Sequence, residues 1–133
     1  MTTTYFLNLI MGNVFLSQVD PKIPENYYIG LSTTAPDISG SNVTEPTGGN
    51  YSRVLITSAL SAPENGQIKN SSDIDFPEST EDWGTVTHYV LYDSQDGGNL
   101  LMYEAFESGK LIQSESQARF KANTLTFTLK NPE

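Results

Sequence analysis

The chain has 133 residues, enough for one domain with a real core, and it is 37% hydrophobic but only 17% charged. Its formal charge of −9, from 16 acidic and 7 basic residues, sets it against nucleic acid, and no basic patch with interleaved aromatics overrides that repulsion. The absence of cysteine excludes disulfides, thiolate metal sites and cysteine nucleophiles.

At the N-terminus, Thr2–Thr4 offer a helix cap, and Phe6, Leu7, Ile10, Met11 and Val14 fall on one helical stripe. This predicts a short helix within residues 1–16 that either lids the open end of a sandwich or docks on a neighbouring subunit. The run from Tyr5 to Phe15 has no basic lead or small-residue cleavage site, and Asn8, Gly12 and Asn13 interrupt it. It is therefore read as neither a secretory signal nor a membrane span.

Pro21 and Pro24 force an extended connection into a strand over Tyr27–Thr33. Thr34–Asn50 is poor in apolar residues and carries two prolines and three glycines. It reads as a long surface loop, either a partner-contacting arm or a disordered tip. A strand is expected over Tyr51–Leu60, then a type I′ turn at Asn65-Gly66 and a further strand from Gln67 to Ile74.

Trp83–Phe106 is the richest apolar segment. On its first arm Val86, His88, Val90 and Tyr92 alternate with Thr85, Thr87, Tyr89 and Leu91, a period-2 pattern that marks a strand. Asp93–Gly98 supplies the turn, with two glycines suited to positive φ, and Asn99–Phe106 returns. Apolar residues on both faces place this hairpin near the middle of a sheet covered on either side. Glu107-Ser108-Gly109 is expected to turn into a short strand Lys110–Ile112. Two more short strands follow, over Ala118–Lys121 and Leu125–Leu129, with Asn123 as a turn residue. About seven or eight short antiparallel strands predict an all-β domain, a β-sandwich or jelly-roll-like barrel, filling the whole chain.

Little in the sequence carries chemistry. His88 is the only histidine, and its place mid-strand suits a hydrogen-bonded core residue better than a catalytic base. Asp73, Asp75, Glu78, Glu81 and Asp82 could in principle form a glycosidase pair, but their loop and strand-edge setting favours solvation. The Asp93–Asp96 turn lacks the dense acidic spacing of a calcium loop. Trp83, Tyr51, Tyr89, Tyr92 and Tyr103 are expected in cross-strand packing, or on a contact face if solvent reaches them. No metal or cofactor is expected.

The run DWGTVTHYVLYDSQDGGNLLMY (Asp82–Tyr103) resembles a family of small bacteriophage virion proteins commonly labelled tail fibre proteins. The likeness extends to YYIGLSTTAPD from Tyr27, VTEPTGGNYSRV from Val43, NSSDIDFP from Asn70 and the closing TLTFTL from Thr124. It brings no catalytic motif onto these positions. It implies a non-enzymatic virion protein, assembled in the bacterial host cytoplasm, that binds other virion proteins and works as a homo-oligomer, with a trimer as one arrangement. The compact, acidic, repeat-free chain favours a capsid decoration protein bound to the major capsid protein. The alternative is a tail fibre or baseplate component contributing to host attachment. The expected attachment residues are Phe6, Leu7, Ile10 and Met11 on the helix and Ile38, Val43 and Glu45 on the long loop, because a stripe and an arm can bury area without disturbing the sheet.

Overall fold

A computed structural model describes residues 1–129. Helix α1 (Thr4–Phe15) is followed by strands β1 (Tyr28–Ser32), β2 (Val54–Leu55), β3 (Gln67–Lys69), β4 (Ile74–Asp75), β5 (Gly84–Tyr92), β6 (Leu100–Ile112), β7 (Arg119–Phe120) and β8 (Thr126–Thr128). The fold is all-β in the expected sense, with eight antiparallel strands and one short α-helix among the described residues. One four-stranded sheet runs β2-β1-β5-β6, and the ribbons β3–β8 and β4–β7 supply the rest of the sandwich.

The helix begins where Thr3 caps it, its hydroxyl oxygen accepting from the Phe6 N–H at 3.3 Å while pointing its own hydrogen toward the Leu100 and Leu101 carbonyls of β6. One fully buried side chain thus starts α1 and pins it to the sheet. Met1–Thr3 continue along the outer edge of β6 through a Thr2–Met102 bridge. That pairing occupies backbone groups an edge strand would otherwise expose.

The central hairpin forms where its alternation places it, with β5 between β1 and β6. Gly97 and Gly98 take φ of 62° and 74° in the connecting turn. A bulge between Val86 and His88 corrects the expected faces: Val86 joins Tyr89 and Leu91 in the main core, whereas Val90 and Tyr92 face the other side. An extra residue in one strand reverses the alternation beyond it. The main core packs Ile29, Leu31, Leu91 and Leu101 against Ile56, Phe76, Leu125 and Phe127, with Phe6 and Leu9 closing one end. A smaller cluster of Val90, Tyr92, Leu100 and Tyr103 lies on the opposite face under Val43. The hairpin is covered on both sides, as its composition requires.

Three expected strands differ. Tyr51–Leu60 pairs only at Val54–Leu55 before a 3₁₀ turn at Thr57–Ala59. β6 runs through Gly109 without turning, because that glycine lies against β5, where an added Cβ would sit 2.7 Å from Thr85 Cγ2. Close approach rather than a turn explains the residue. Gln67–Ile74 splits into β3 and β4 around Asn70, while Asn65 and Gly66 take the two positive φ values a type I′ turn needs, at 54° and 74°.

Asn70 is the seam between the two ribbons. Fully buried, its amide donates to the carbonyls of Ser72 (3.0 Å), Phe120 (3.3 Å) and Lys121 (2.9 Å), and its oxygen accepts from the Leu125 N–H at 3.0 Å. Alanine here would leave those backbone groups dry and unpaired. Asn70→Ala is expected to lower stability by about 3 kcal/mol, read as a reduced urea midpoint with an unchanged slope.

Candidate functional site

The densest polar constellation lies on the second face of the sheet, where sequence reasoning saw only an alternating strand and a loop. Arg53 is 8% exposed, yet every edge of its guanidinium is engaged. Nη2 meets Glu45 Oε1 at 2.6 Å and Nε reaches both Glu45 oxygens at 3.1–3.2 Å. Nη1 donates to the Ser94 and Gly97 carbonyls at 2.8 and 2.7 Å, inside the hairpin turn. The guanidinium carbon lies 3.5 Å from the Tyr92 ring centroid, a cation–π contact. Burial works against this charge, but the Glu45 hydrogen bond and carboxylate charge outweigh it and hold the arginine pKa above its ordinary value.

Tyr51 completes the knot. Its hydroxyl donates to Glu45 Oε2 at 2.5 Å and accepts from the Leu31 N–H of β1 at 3.0 Å. Its ring stacks edge-on to Trp83, centroids 5.3 Å apart. Burial, then the adjoining Glu45 hydrogen bond and charge, push the phenol far above its ordinary range. Trp83 in turn donates its indole N–H to Gly49 O at 2.8 Å, and Gly49 holds φ 58°, where an added Cβ would press on the indole at 3.0 Å. The carbonyls that could have dressed a cation in the Ser94–Gly97 turn are taken by Arg53, while Asp93 accepts from the Asn99 N–H at 2.8 Å and its side-chain amide at 3.1 Å.

The long loop Thr34–Asn50 is therefore braced along its length, bonded to itself, to β1 and to the start of α1. Asp37 accepts from the Ser39 and Ser41 N–H groups at 3.0 and 3.1 Å, and these bonds together with the Ser39 hydroxyl hold its carboxyl below the usual value. Thr34 bonds across to Asn42 O at 2.6 Å and to the Thr44 hydroxyl at 2.9 Å. Ile38 O accepts from Thr4 N at the start of α1. A deletion of 38–48 would remove Glu45, so this loop cannot be cut away without exposing the arginine's need for a partner.

The residues expected to attach the chain separate into two groups. Phe6 is in the core, Val43 packs on the smaller cluster, and the Glu45 carboxylate is committed to Arg53, so none of the three offers a free side chain. Ile10 is half-buried behind Phe6. Leu7, Met11 and Ile38 remain open at 46%, 56% and 51% exposure. Val14, Phe15, Leu16 and Val19 join them, and sequence reasoning passed them over as contact residues. Their signal was present: no residue from Met1 to Val19 has a charged side chain. The inner helical face is Phe6, Leu9, Ile10 and Asn13, turned from the expected stripe because apolar residues encircle the helix.

Most of the remaining candidates are structurally occupied, while Glu78 and Glu81 lie exposed at the surface. His88 is half-buried on β5 with Nδ1 at 2.8 Å from Thr87 Oγ1; burial lowers its pKa, opposed by the Glu104 charge. It is a strand residue rather than the core histidine expected. Asp75 grips Arg119 at 2.5 Å, Asp73 accepts from the Ala122 N–H at 2.9 Å, and Asp82 accepts from the Ser114 N–H at 2.7 Å. Trp83, Tyr89, Tyr92 and Tyr103 are buried, so these aromatics form packing rather than a contact platform. Among the described residues no cluster of three or more His, Cys, Asp or Glu is placed to hold a metal ion, and no helix is long and apolar enough to cross a membrane.

The chain matches the family described as Podophage GP4 fiber I protein gp80 over residues 2–128. The chain belongs to this fibre protein family. No curated protein matches it. For a podophage fibre family member the match includes α1, the braced loop and every strand, so the Arg53 knot and the open helix face both lie within the family's own extent.

Two outcomes test the knot. Glu45→Gln leaves a buried guanidinium without its counter-charge and is expected to lower stability by about 3–5 kcal/mol in denaturant titration. The raised Tyr51 pKa means the folded state keeps a proton that the unfolded chain loses near pH 10. Its contribution is fully present below about pH 10 and falls above it, by roughly 1.4 kcal/mol per pH unit. Tyr51→Phe should flatten the alkaline limb of the stability profile by about that slope.

Proposed function

We propose that this protein is a non-enzymatic structural component of a bacteriophage tail fibre, held in the virion by contacts with other virion proteins and present as several associated copies. The observation that carries the reading is the fibre-family match over residues 2–128. The family description favours the fibre over the capsid shell, which the compact repeat-free chain suggests by itself. Host attachment follows as the role of the assembly to which the chain contributes.

The side chains support a structural rather than catalytic task. The sole histidine is turned to Thr87, and Asp73, Asp75 and Asp82 are engaged in holding loops and ribbons together. Attachment needs exposed surface that is already shaped, and α1 with Ile38 beside its N-terminus provides it. Leu7, Met11 and Ile38 are the originally expected contact residues that keep free side chains.

The copy number in purified particles, measured by quantitative mass spectrometry against the major capsid protein, tests the placement. A fibre component is expected at a few to a few dozen copies per particle. A shell decoration would instead repeat with the capsid lattice, on the order of hundreds of copies. That larger number would overturn the fibre reading, and absence from particles would overturn the virion reading.

A further inference from the structure

The strongest unexplained feature is the outer face of α1. Leu7, Met11, Val14 and Phe15 form a stripe at helical spacing on the side away from Phe6 and Leu9, and their exposures are 46%, 56%, 61% and 71%. Leu16 and Val19 extend it at 79% and 82%. Six large apolar side chains so open add to roughly several hundred Å², the scale of the ~800 Å² per partner that a standard interface buries. Contiguous apolar patches of that size often mark an interaction site.

The patch is also held in shape. Beyond the helix the chain folds back, with the Leu16 and Gln18 N–H groups both donating to Gly12 O at 3.1 Å. Asn13 donates to Leu9 O at 2.8 Å and accepts from the Ile23 N–H at 3.3 Å, and Gln18 donates to Pro21 O at 2.8 Å. Little ordering remains to be done when the face is covered, which lowers the entropic cost of docking.

Charge decides what covers it. The chain carries −9 overall, so two copies approaching through most of their surface repel each other. Residues 1–19 have no charged side chain, and they form the face through which copies can meet without setting carboxylates against carboxylates. Asn8, Ser17 and Gln18 give this neutral zone polar residues for a rim. An apolar stripe at i, i+4, i+7 and i+8 is moreover self-complementary, since the same ridge and groove recur on each partner.

We propose that the outer face of α1 is the contact between copies of this chain, helix against helix, with Met11 and Val14 at its centre. The proposal rests on the homo-oligomeric part of the function proposed above and not on fibre versus shell. A solution measurement on the full chain can therefore fail while the particle count succeeds, and the reverse.

The test is sedimentation velocity with light scattering on the full chain over micromolar to millimolar concentrations. The wild type is expected to associate, and Met11→Glu and Val14→Glu, both at exposed positions, to remain monomeric with unchanged circular dichroism. Leu111→Glu, at 62% exposure on β6, serves as the control and should associate like the wild type. Association should tighten severalfold as salt rises from about 0.1 M to about 1 M, because screening shortens the reach of the −9 repulsion while the neutral contact is spared. The cysteine-free chain permits a second readout: Met11→Cys should give a covalent dimer under mild oxidation, and Leu111→Cys should not. A monomeric wild type throughout the range, which would point to a different virion partner for the face, overturns the proposal. So does association that survives both glutamate substitutions, or that weakens with salt.

Discussion

A buried ion pair ties together three parts of this molecule that are distant in sequence. Arg53 comes from the segment entering β2, Glu45 from the long loop, and the carbonyls of Ser94 and Gly97 from the hairpin turn. Tyr51 links the same carboxylate to the backbone of β1. A buried charge pair is seldom a large net source of stability, because desolvation consumes much of the Coulombic gain. Its effect here is positional: one guanidinium bonds the loop through Glu45 and the hairpin turn through Ser94 and Gly97 while lying over Tyr92 of β5. Sixteen acidic residues give the chain many carboxylates, but the one placed against Arg53 is fixed by the tyrosine that also holds it.

The two faces of the central sheet are organised by different forces. The main face is a conventional apolar core, extended by Tyr89, Phe106, Phe120 and Phe127 in edge and tilted contacts with centroids 5.6–6.0 Å apart. The other face has a small apolar cluster and relies on the braced loop and the arginine to seal it. That division explains how a segment with few apolar residues is held: its polar groups bond to one another and to the sheet, and Val43 adds one apolar contact.

Much of the architecture was legible because local signals agreed. Period-2 alternation found the central hairpin, Asn65-Gly66 found the turn into β3, and a threonine run found the helix cap. The failures have physical causes. At Val86 a bulge changes face without changing composition, and at Gly109 a glycine needed for close approach looks the same as one needed for a turn. The helix misled through excess of signal, since Tyr5, Phe6, Leu7, Leu9, Ile10, Met11, Val14 and Phe15 leave no polar side to orient it. Arg53 and Glu45 are eight residues apart across a loop, and pairing at that distance has no period. The hint was an arginine standing inside a strand pattern in a chain with only seven basic residues.

The uncovered helix bears on the life of the chain before assembly. The exposed apolar face favours burial while the net charge of −9 opposes the close approach of another copy, so the two act against each other in dilute solution. Tethering several copies to one growing structure raises their effective concentration without altering any contact. On the helix contact proposed above, the balance between face and charge would act as a threshold in local concentration.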